Sequence, residues 1–110
     1  MSARLKPADP SVVAEALGRV RAGEAGTEDL RLLTKHYLAL LEAKAPGRSV
    51  EVRVPPYAAV QCIAGVRHTR GTPPNVVETD AATWIAVATG EVSWTDAVDA
   101  ARVRASGERT

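Results

Sequence analysis

Three basic side chains, Arg67, His68 and Arg70, lie within four residues and form the densest group of potential ligand-binding residues in the sequence. Arginine and protonated histidine donate hydrogen bonds to phosphate and carboxylate oxygens. Gly71 follows directly, and its lack of a side chain would let an anion approach the backbone closely. One interpretation of this segment is therefore an anion-binding loop.

The same segment also has the features of a stiff connection between two strands. Residues 72–74 are Thr-Pro-Pro, a composition that favours a short extended rod. In this interpretation Arg70 pairs with Glu78 or Asp80, and Asn75 holds the amides of the turn. The sequence leaves both interpretations open.

Cys62 is the only cysteine in the sequence and could act as a nucleophile. In that case His36 or His68 would be the base that accepts the proton of its thiol. A reactive thiolate needs a positive neighbour or a helix N-terminus, whereas Cys62 falls in a strand-like stretch of small apolar residues. We expect a buried, unreactive side chain. No metal is predicted, because three or four ligands at suitable spacing are absent from the sequence. We expect no cofactor and no catalytic residue.

Tyr57 and Gln61 alternate onto one face of a predicted strand, where they are either polar groups in an apolar pocket or solvent-exposed. Trp84 and Trp94 are expected to pack in the core, with stacking on a ligand as the alternative, and Trp84 is also a candidate ligand-binding residue. The candidate ligand-binding residues are therefore Tyr57, Gln61, Arg67, His68, Arg70, Asn75 and Trp84.

Composition narrows the class of protein. The chain has 110 residues, 45% of them hydrophobic and none of them Phe, so one core built from Val, Leu, Ile and Ala is expected. A net charge of +1 gives no electrostatic reason for binding nucleic acid. No apolar run approaches the roughly 18 residues of a membrane span. We expect a cytoplasmic protein with a flexible arm, residues 1–8, and a single domain, residues 9–110.

Local signals predict the helices. Asp9 and Pro10 favour the start of a first helix that ends at Gly23, and a second helix is expected from Thr27 to about Lys44. Two short helices follow, one capped by Asp80 and closed by Gly90, and one running from Ser93 to Ala100. The second helix is expected to bury a stripe of Leu30, Leu33, Tyr37, Leu40 and Leu41.

Period-two alternation predicts the strands, at residues 50–54, 57–65, 75–79 and 102–106. The expected order is ααβββααβ. The predicted fold class is α/β, of the α+β type, with helices covering one side of a mostly antiparallel sheet of about four to five strands.

The C-terminal stretch WIAVATGEVSWTDAVDAARVRASG has a distinctive order: a helix ending in Gly, a second helix, then a basic strand closing on Ser-Gly. In this order the chain resembles the sterol carrier protein type-two superfamily. The stretch VRVPPYAAVQCIAGVRHTRGTPPNVVETD is similar to the bacterial sterol carrier protein orthologue branch. The resemblance covers most of residues 27–107.

The resemblance implies a twisted sheet covered by helices, with an apolar tunnel between the layers. It implies a fatty acyl chain, a sterol-like lipid or another apolar small molecule as partner. Our own expectation, which the resemblance does not supply, is that the head group of such a ligand lies near Arg67, His68 and Arg70. The chain differs from animal carriers at Val98, where they usually have Phe, and it ends at Thr110, soon after the Ser-Gly. We therefore keep an alternative: an interaction or accessory module that covers its open end with a partner, such as a second copy in a homodimer.

Overall fold

The secondary structure follows the predicted order ααβββααβ. The computed structural model describes residues 5–63 and 75–106, and within them the chain forms four helices and one four-stranded sheet. The elements are α1 (Pro10–Arg21), α2 (Thr27–Lys44), β1 (Val50–Val54), β2 (Ala58–Cys62), β3 (Asn75–Thr79), α3 (Ala81–Ala88), α4 (Trp94–Asp99) and β4 (Val103–Ser106).

Side-chain caps fix the starts of three helices. The carboxylate of Asp9 accepts a hydrogen bond from the backbone N–H of Ser11, and that of Asp80 accepts one from the N–H of Thr83. The hydroxyl oxygen of Ser93 accepts a hydrogen bond from the N–H of Asp96. These bonds satisfy amides that would otherwise have no partner in the first helical turn, and they confirm the predicted caps.

A bidentate ion pair joins the end of α1 to the start of α2. Arg19 Nε and Nη2 each lie 2.8 Å from a carboxylate oxygen of Asp29. The same carboxylate accepts a hydrogen bond from the backbone N–H of Gly26 at 3.3 Å. The hydrogen bonds from Arg19 hold the pKa of Asp29 below its ordinary value. The turn between the two helices is therefore held by charge as well as by packing.

The sheet is open and mixed, with the strand order β2-β1-β3-β4. The β1–β2 and β3–β4 pairs are antiparallel, as predicted for most of the sheet, and β1 pairs with β3 in parallel. The chain crosses over between β2 and β3, so β1 becomes a central strand. Two antiparallel ribbons are thus joined through one parallel pair.

The two faces of the sheet differ in polarity. Val52 and Val54 of β1 are buried under the helices, whereas Arg53 between them faces the other way. On that open face Arg53 Nε lies 2.7 Å from the carboxylate of Glu51, and Arg104 Nη2 lies 3.0 Å from that of Glu78. The helices therefore cover one face, as predicted.

Two apolar clusters hold the layers together. The first joins the valine face of the sheet to α2 and α3, and its buried members are Leu38, Val50, Val52, Val54, Val60, Cys62 and Ala81. The second joins α1, α2 and α3, and its buried members are Val13, Ala16, Leu33 and Ile85. Helix α2 contributes to both clusters, so it is packed on two sides.

This two-sided packing corrects the predicted stripe on α2. Leu40 was expected in the stripe, but its side chain is 42% exposed, whereas Thr34, Leu38 and Ala39 are buried. A single stripe describes a helix with one buried face, and α2 contacts α1 and α3 as well as the sheet. Trp94 is a second correction, because it is 46% exposed and not part of the core.

The N-terminal residues that the structure describes contact the folded body. Leu5 packs against the sheet cluster, and Ala8 packs against the helical cluster. The backbone N–H of Ala8 donates a hydrogen bond to Nδ1 of His36, at 3.0 Å. The division into an arm, residues 1–8, and a domain, residues 9–110, stays a prediction.

The bond between Ala8 and His36 predicts a loss of stability in mild acid. Nδ1 accepts this hydrogen bond only when it is unprotonated, and burial lowers the pKa of His36. The unfolded chain therefore binds the proton more readily. The stabilisation is complete above the unfolded pKa of about 6.5 and is lost as the pH falls through the lower folded value. Urea unfolding of the wild-type protein between about pH 7.5 and pH 5 should show this fall.

The control for this prediction is His36→Asn, because the Asn side-chain oxygen can accept the same bond but does not titrate. Its free energy of unfolding should change less over this pH range. Equal pH dependence in the two proteins would show that His36 is not the group responsible.

Candidate ligand-binding cavity

A cavity of about 330 Å³ lies between the valine face of the sheet and helices α2, α3 and α4. Its volume is at the lower end of the usual range for ligand pockets, about 300–1,000 Å³. Apolar side chains form most of its wall. The lining residues are Leu41, Val50, Val52, Cys62, Ile63, Asn75, Val77, Thr79, Trp84 and Trp94.

Strand register places the floor of the cavity. Val50 and Val52 point to the helix side because side chains alternate along β1. The parallel pairing sets Val77 beside Val52 and Asn75 beside Val50. The floor is therefore built from two strands that are more than twenty residues apart in the sequence.

Ile63 lines the cavity in a backbone conformation that is unusual for its residue type. Its φ is +65°, in the left-handed region that β-branched side chains rarely adopt. Two backbone hydrogen bonds hold it there: Ile63 N–H donates to Ala45 O at 2.6 Å, and Ser49 N–H donates to Ile63 O at 3.1 Å. The surrounding chain thus fixes the position of this wall residue.

The polar side chains in the wall donate their hydrogen bonds to the protein itself. Asn75 Nδ2 donates to Ser49 O at 3.2 Å, and Thr79 Oγ1 donates to Arg102 O at 2.8 Å. The indole Nε1 of Trp84 donates to Thr34 O at 3.3 Å. These donors are directed at backbone carbonyls, so what the wall offers to a ligand is chiefly apolar surface.

Cys62 is fully buried in this wall, as predicted. Burial raises the pKa of its thiol, and the negative charge of Glu42 raises it further. A thiol with a raised pKa carries little thiolate at neutral pH and is a poor nucleophile. The structure therefore gives Cys62 a packing role.

The predicted pair Tyr57 and Gln61 is separated in the structure. Tyr57 precedes β2, in the turn after β1, and packs against the sheet cluster with the guanidinium of Arg31 5.9 Å from its ring centroid. Gln61 lies in β2, and its Oε1 accepts a hydrogen bond from Arg48 Nε at 3.3 Å on the exposed side. The alternation predicts a strand that begins at Tyr57, whereas β2 begins at Ala58, and neither Tyr57 nor Gln61 lines the cavity.

The other candidates divide into two groups. Asn75 and Trp84 line the cavity, whereas Arg67, His68 and Arg70 lie outside the described residues. Of the carboxylates proposed to pair with Arg70, Glu78 bonds to Arg104 and Asp80 caps α3. Asn75 donates to a backbone carbonyl, and its predicted bond to turn amides stays a prediction. Trp94 and Ile63 were not predicted as pocket residues.

Comparison with known proteins identifies the family. The family model described as bacterial SCP ortholog matches residues 27–110. The chain belongs to this family. The match begins at the first residue of α2, so every element of the bacterial SCP ortholog fold that lines the cavity falls within it. A search of curated proteins found no match.

Two further findings concern the residues that the structure describes. No helix among them is both long enough and apolar enough to cross a membrane. No three His, Cys, Asp or Glu side chains of that part of the chain come together as the ligands of a metal ion would.

The buried position of Cys62 predicts slow alkylation. Iodoacetamide at neutral pH should modify the native protein at least a hundredfold more slowly than the protein in denaturant, as followed by mass spectrometry, because both burial and the raised pKa suppress the thiolate. Rapid modification of the native protein would contradict this account and favour a nucleophilic role.

Proposed function

We propose that this bacterial SCP ortholog is a non-catalytic carrier that binds a small lipid-like molecule in the cavity between sheet and helices. The observation that supports this is the cavity itself, whose valine floor and tryptophan walls offer chiefly apolar surface. Burying a hydrocarbon chain there would contribute about 0.8 kcal/mol per methylene. A cytoplasmic location is part of the proposal, and the unpaired Cys62 supports it, since free thiols persist in reducing compartments.

The proposed ligand has a polar head that stays outside the cavity. Ile63 and Asn75 line the cavity and are the two residues that flank the segment 64–74. The segment carries Arg67, His68 and Arg70, so its charges lie close along the chain to the cavity wall. We propose that these side chains bind a carboxylate or phosphate head group.

Tryptophan fluorescence tests this proposal directly, because the protein has two tryptophans and both line the cavity. Palmitate brominated on its chain should quench the fluorescence of Trp94→Phe, in which Trp84 remains, and of Trp84→Phe, in which Trp94 remains. Quenching should saturate with ligand and be displaced by unbrominated palmitate, because the bromine would lie in a defined site.

The head-group site is tested with the triple variant Arg67→Ala, His68→Ala, Arg70→Ala. The matched control is the methyl ester of the same acid, which lacks the negative charge. The triple variant should bind the acid several-fold more weakly and the ester unchanged if the three side chains bind the head group. Absence of saturable quenching with fatty acid, ester and long-chain alcohol would contradict the carrier function. Equal affinities of the triple variant and wild type would contradict the head-group site alone.

A second candidate function, an interaction module, is supported by the outer face of α4. Trp94 and Val98 lie four residues apart on this helix, on one face, and are 46% and 41% exposed. Large apolar side chains grouped on a surface are typical of interaction sites. In this hypothesis α4 contacts a second copy of the chain in a homodimer.

The interaction hypothesis predicts that two variants, each with one added glutamate, differ in oligomeric state. Val98→Glu should be a monomer by sedimentation velocity where the wild type is a dimer, because a carboxylate would be buried in the contact. Leu40→Glu, at a comparably exposed leucine on α2, should remain a dimer. A monomeric wild type at high micromolar concentration would contradict the module and leave the carrier function standing.

A further inference from the structure

Trp94 borders two separate spaces. Its side chain lines the cavity of about 330 Å³, and it also lines an outer groove of about 160 Å³ beside α4 and β4. The other residues of this outer groove are Thr95, Val98, Asp99 and Ala105. The indole is the residue that the two spaces share.

The sheet register shows that the two spaces are neighbours on one surface. Val77 lies in the floor of the cavity, and its antiparallel partner in the β3–β4 pair is Ala105, a residue of the outer groove. Directly paired residues project to the same side of a sheet, with side chains about 5 Å apart. The floor of the cavity therefore continues into the groove, and Trp94 stands over the junction.

The backbone at Trp94 is fixed on both sides. Ser93 caps α4 through the N–H of Asp96, and the preceding loop is held by the N–H of Val92, which donates to Ala86 O at 3.2 Å. Ala97, one turn further along, is fully buried beneath the helix. The backbone at this position is therefore held by hydrogen bonds and by packing.

The side chains of the two tryptophans are held differently. The indole of Trp84 is half-buried and donates its N–H to Thr34 O. The indole of Trp94 is 46% exposed and has no hydrogen-bond partner in residues 5–63 and 75–106. Rotation of an exposed side chain takes nanoseconds or less and breaks no internal bond here.

We infer that Trp94 is a gate between the cavity and the outer groove, and that its indole sets the length of hydrocarbon chain that the protein accepts. This inference rests on the proposed carrier function and specifies its ligand. With the indole over the junction, a chain ends within the cavity. With the indole rotated outward, the chain continues across Val77 and Ala105 into the groove.

The first experiment tests the gate without any lipid, using Cys62 in the cavity wall as the probe. Trp94→Ala should raise the rate at which N-ethylmaleimide modifies Cys62 at least tenfold over wild type, because removal of the indole opens a path from the outer groove. Trp94→Phe should stay within about threefold of wild type, since a ring still covers the junction.

A destabilised variant distinguishes gating from unfolding. Val54 is fully buried in the sheet cluster but does not line the cavity, so Val54→Ala lowers stability and leaves the gate intact. Its rate of Cys62 modification should stay below that of Trp94→Ala. A Trp94→Ala rate equal to wild type, or one matched by Val54→Ala, overturns the gate.

The second experiment measures chain length by calorimetric titration with saturated fatty acids from octanoate to palmitate. Wild-type affinity should rise about fourfold per added methylene and then level off. In Trp94→Ala the rise should continue for several more methylenes, whereas in Val98→Ala, which alters only the groove, it should level off as in wild type. Identical length profiles for wild type and Trp94→Ala overturn the length-setting role.

The two experiments fail in different ways. If no fatty acid binds either protein, the length-setting role is wrong, the ester and alcohol titrations decide the carrier function, and the maleimide rates still decide whether Trp94 closes the cavity. If fatty acids bind and the maleimide rates of wild type and Trp94→Ala are equal, the carrier function stands and the gate is wrong.

Discussion

The valine face of β1 is the surface on which both the core and the cavity are built. Val54 is completely buried in the sheet cluster, whereas Val50 and Val52, on the same face, line the cavity. One alternating strand thus supports a filled region at one end and an open region at the other. The crossover that places β1 in the centre of the sheet gives this face strands on both sides, which a cavity floor requires.

The open region follows from which side chains are available to fill it. The chain has no Phe, and the large groups over Val50 and Val52 are Leu41, Trp84 and Trp94. Leu41 and Trp84 pack against the sheet cluster, and together with Trp94 they leave the cavity between them unfilled. Lining atoms without partners lose dispersion contacts, and a bound hydrocarbon would restore them. By mass action, such a ligand would also stabilise the fold.

Local signals predicted the elements well, because each depends on a few neighbouring residues. Asp80 and Ser93 cap their helices as expected, and the alternation at 50–54 gave β1 without error. The cavity could not be predicted in this way, because its floor depends on strand pairings that no local signal encodes. The parallel pairing of β1 with β3, which sets Val52 beside Val77, is an example. Local patterns are also ambiguous at Tyr57 and Trp94. Alternation does not mark the residue at which a strand begins, as at Tyr57. A tryptophan that opens a short helix, such as Trp94, has the same sequence pattern whether it faces the core or the solvent.

Helix α2 packs against α1 on one side and lines the cavity on the other. Its Leu33 side packs with Val13 and Ala16 of α1, which lies before the segment matched by the family model, while Leu41 forms part of the cavity wall. Helix α1 therefore packs on the side of α2 that faces away from the cavity, and it does not line the cavity. A wall residue can face an incompletely filled space only if its helix is held by other contacts, because the cavity side supplies few. The ion pair of Arg19 with Asp29 and the bond from Ala8 to His36 lie on this supporting side, so they contribute to stability without forming part of the cavity wall.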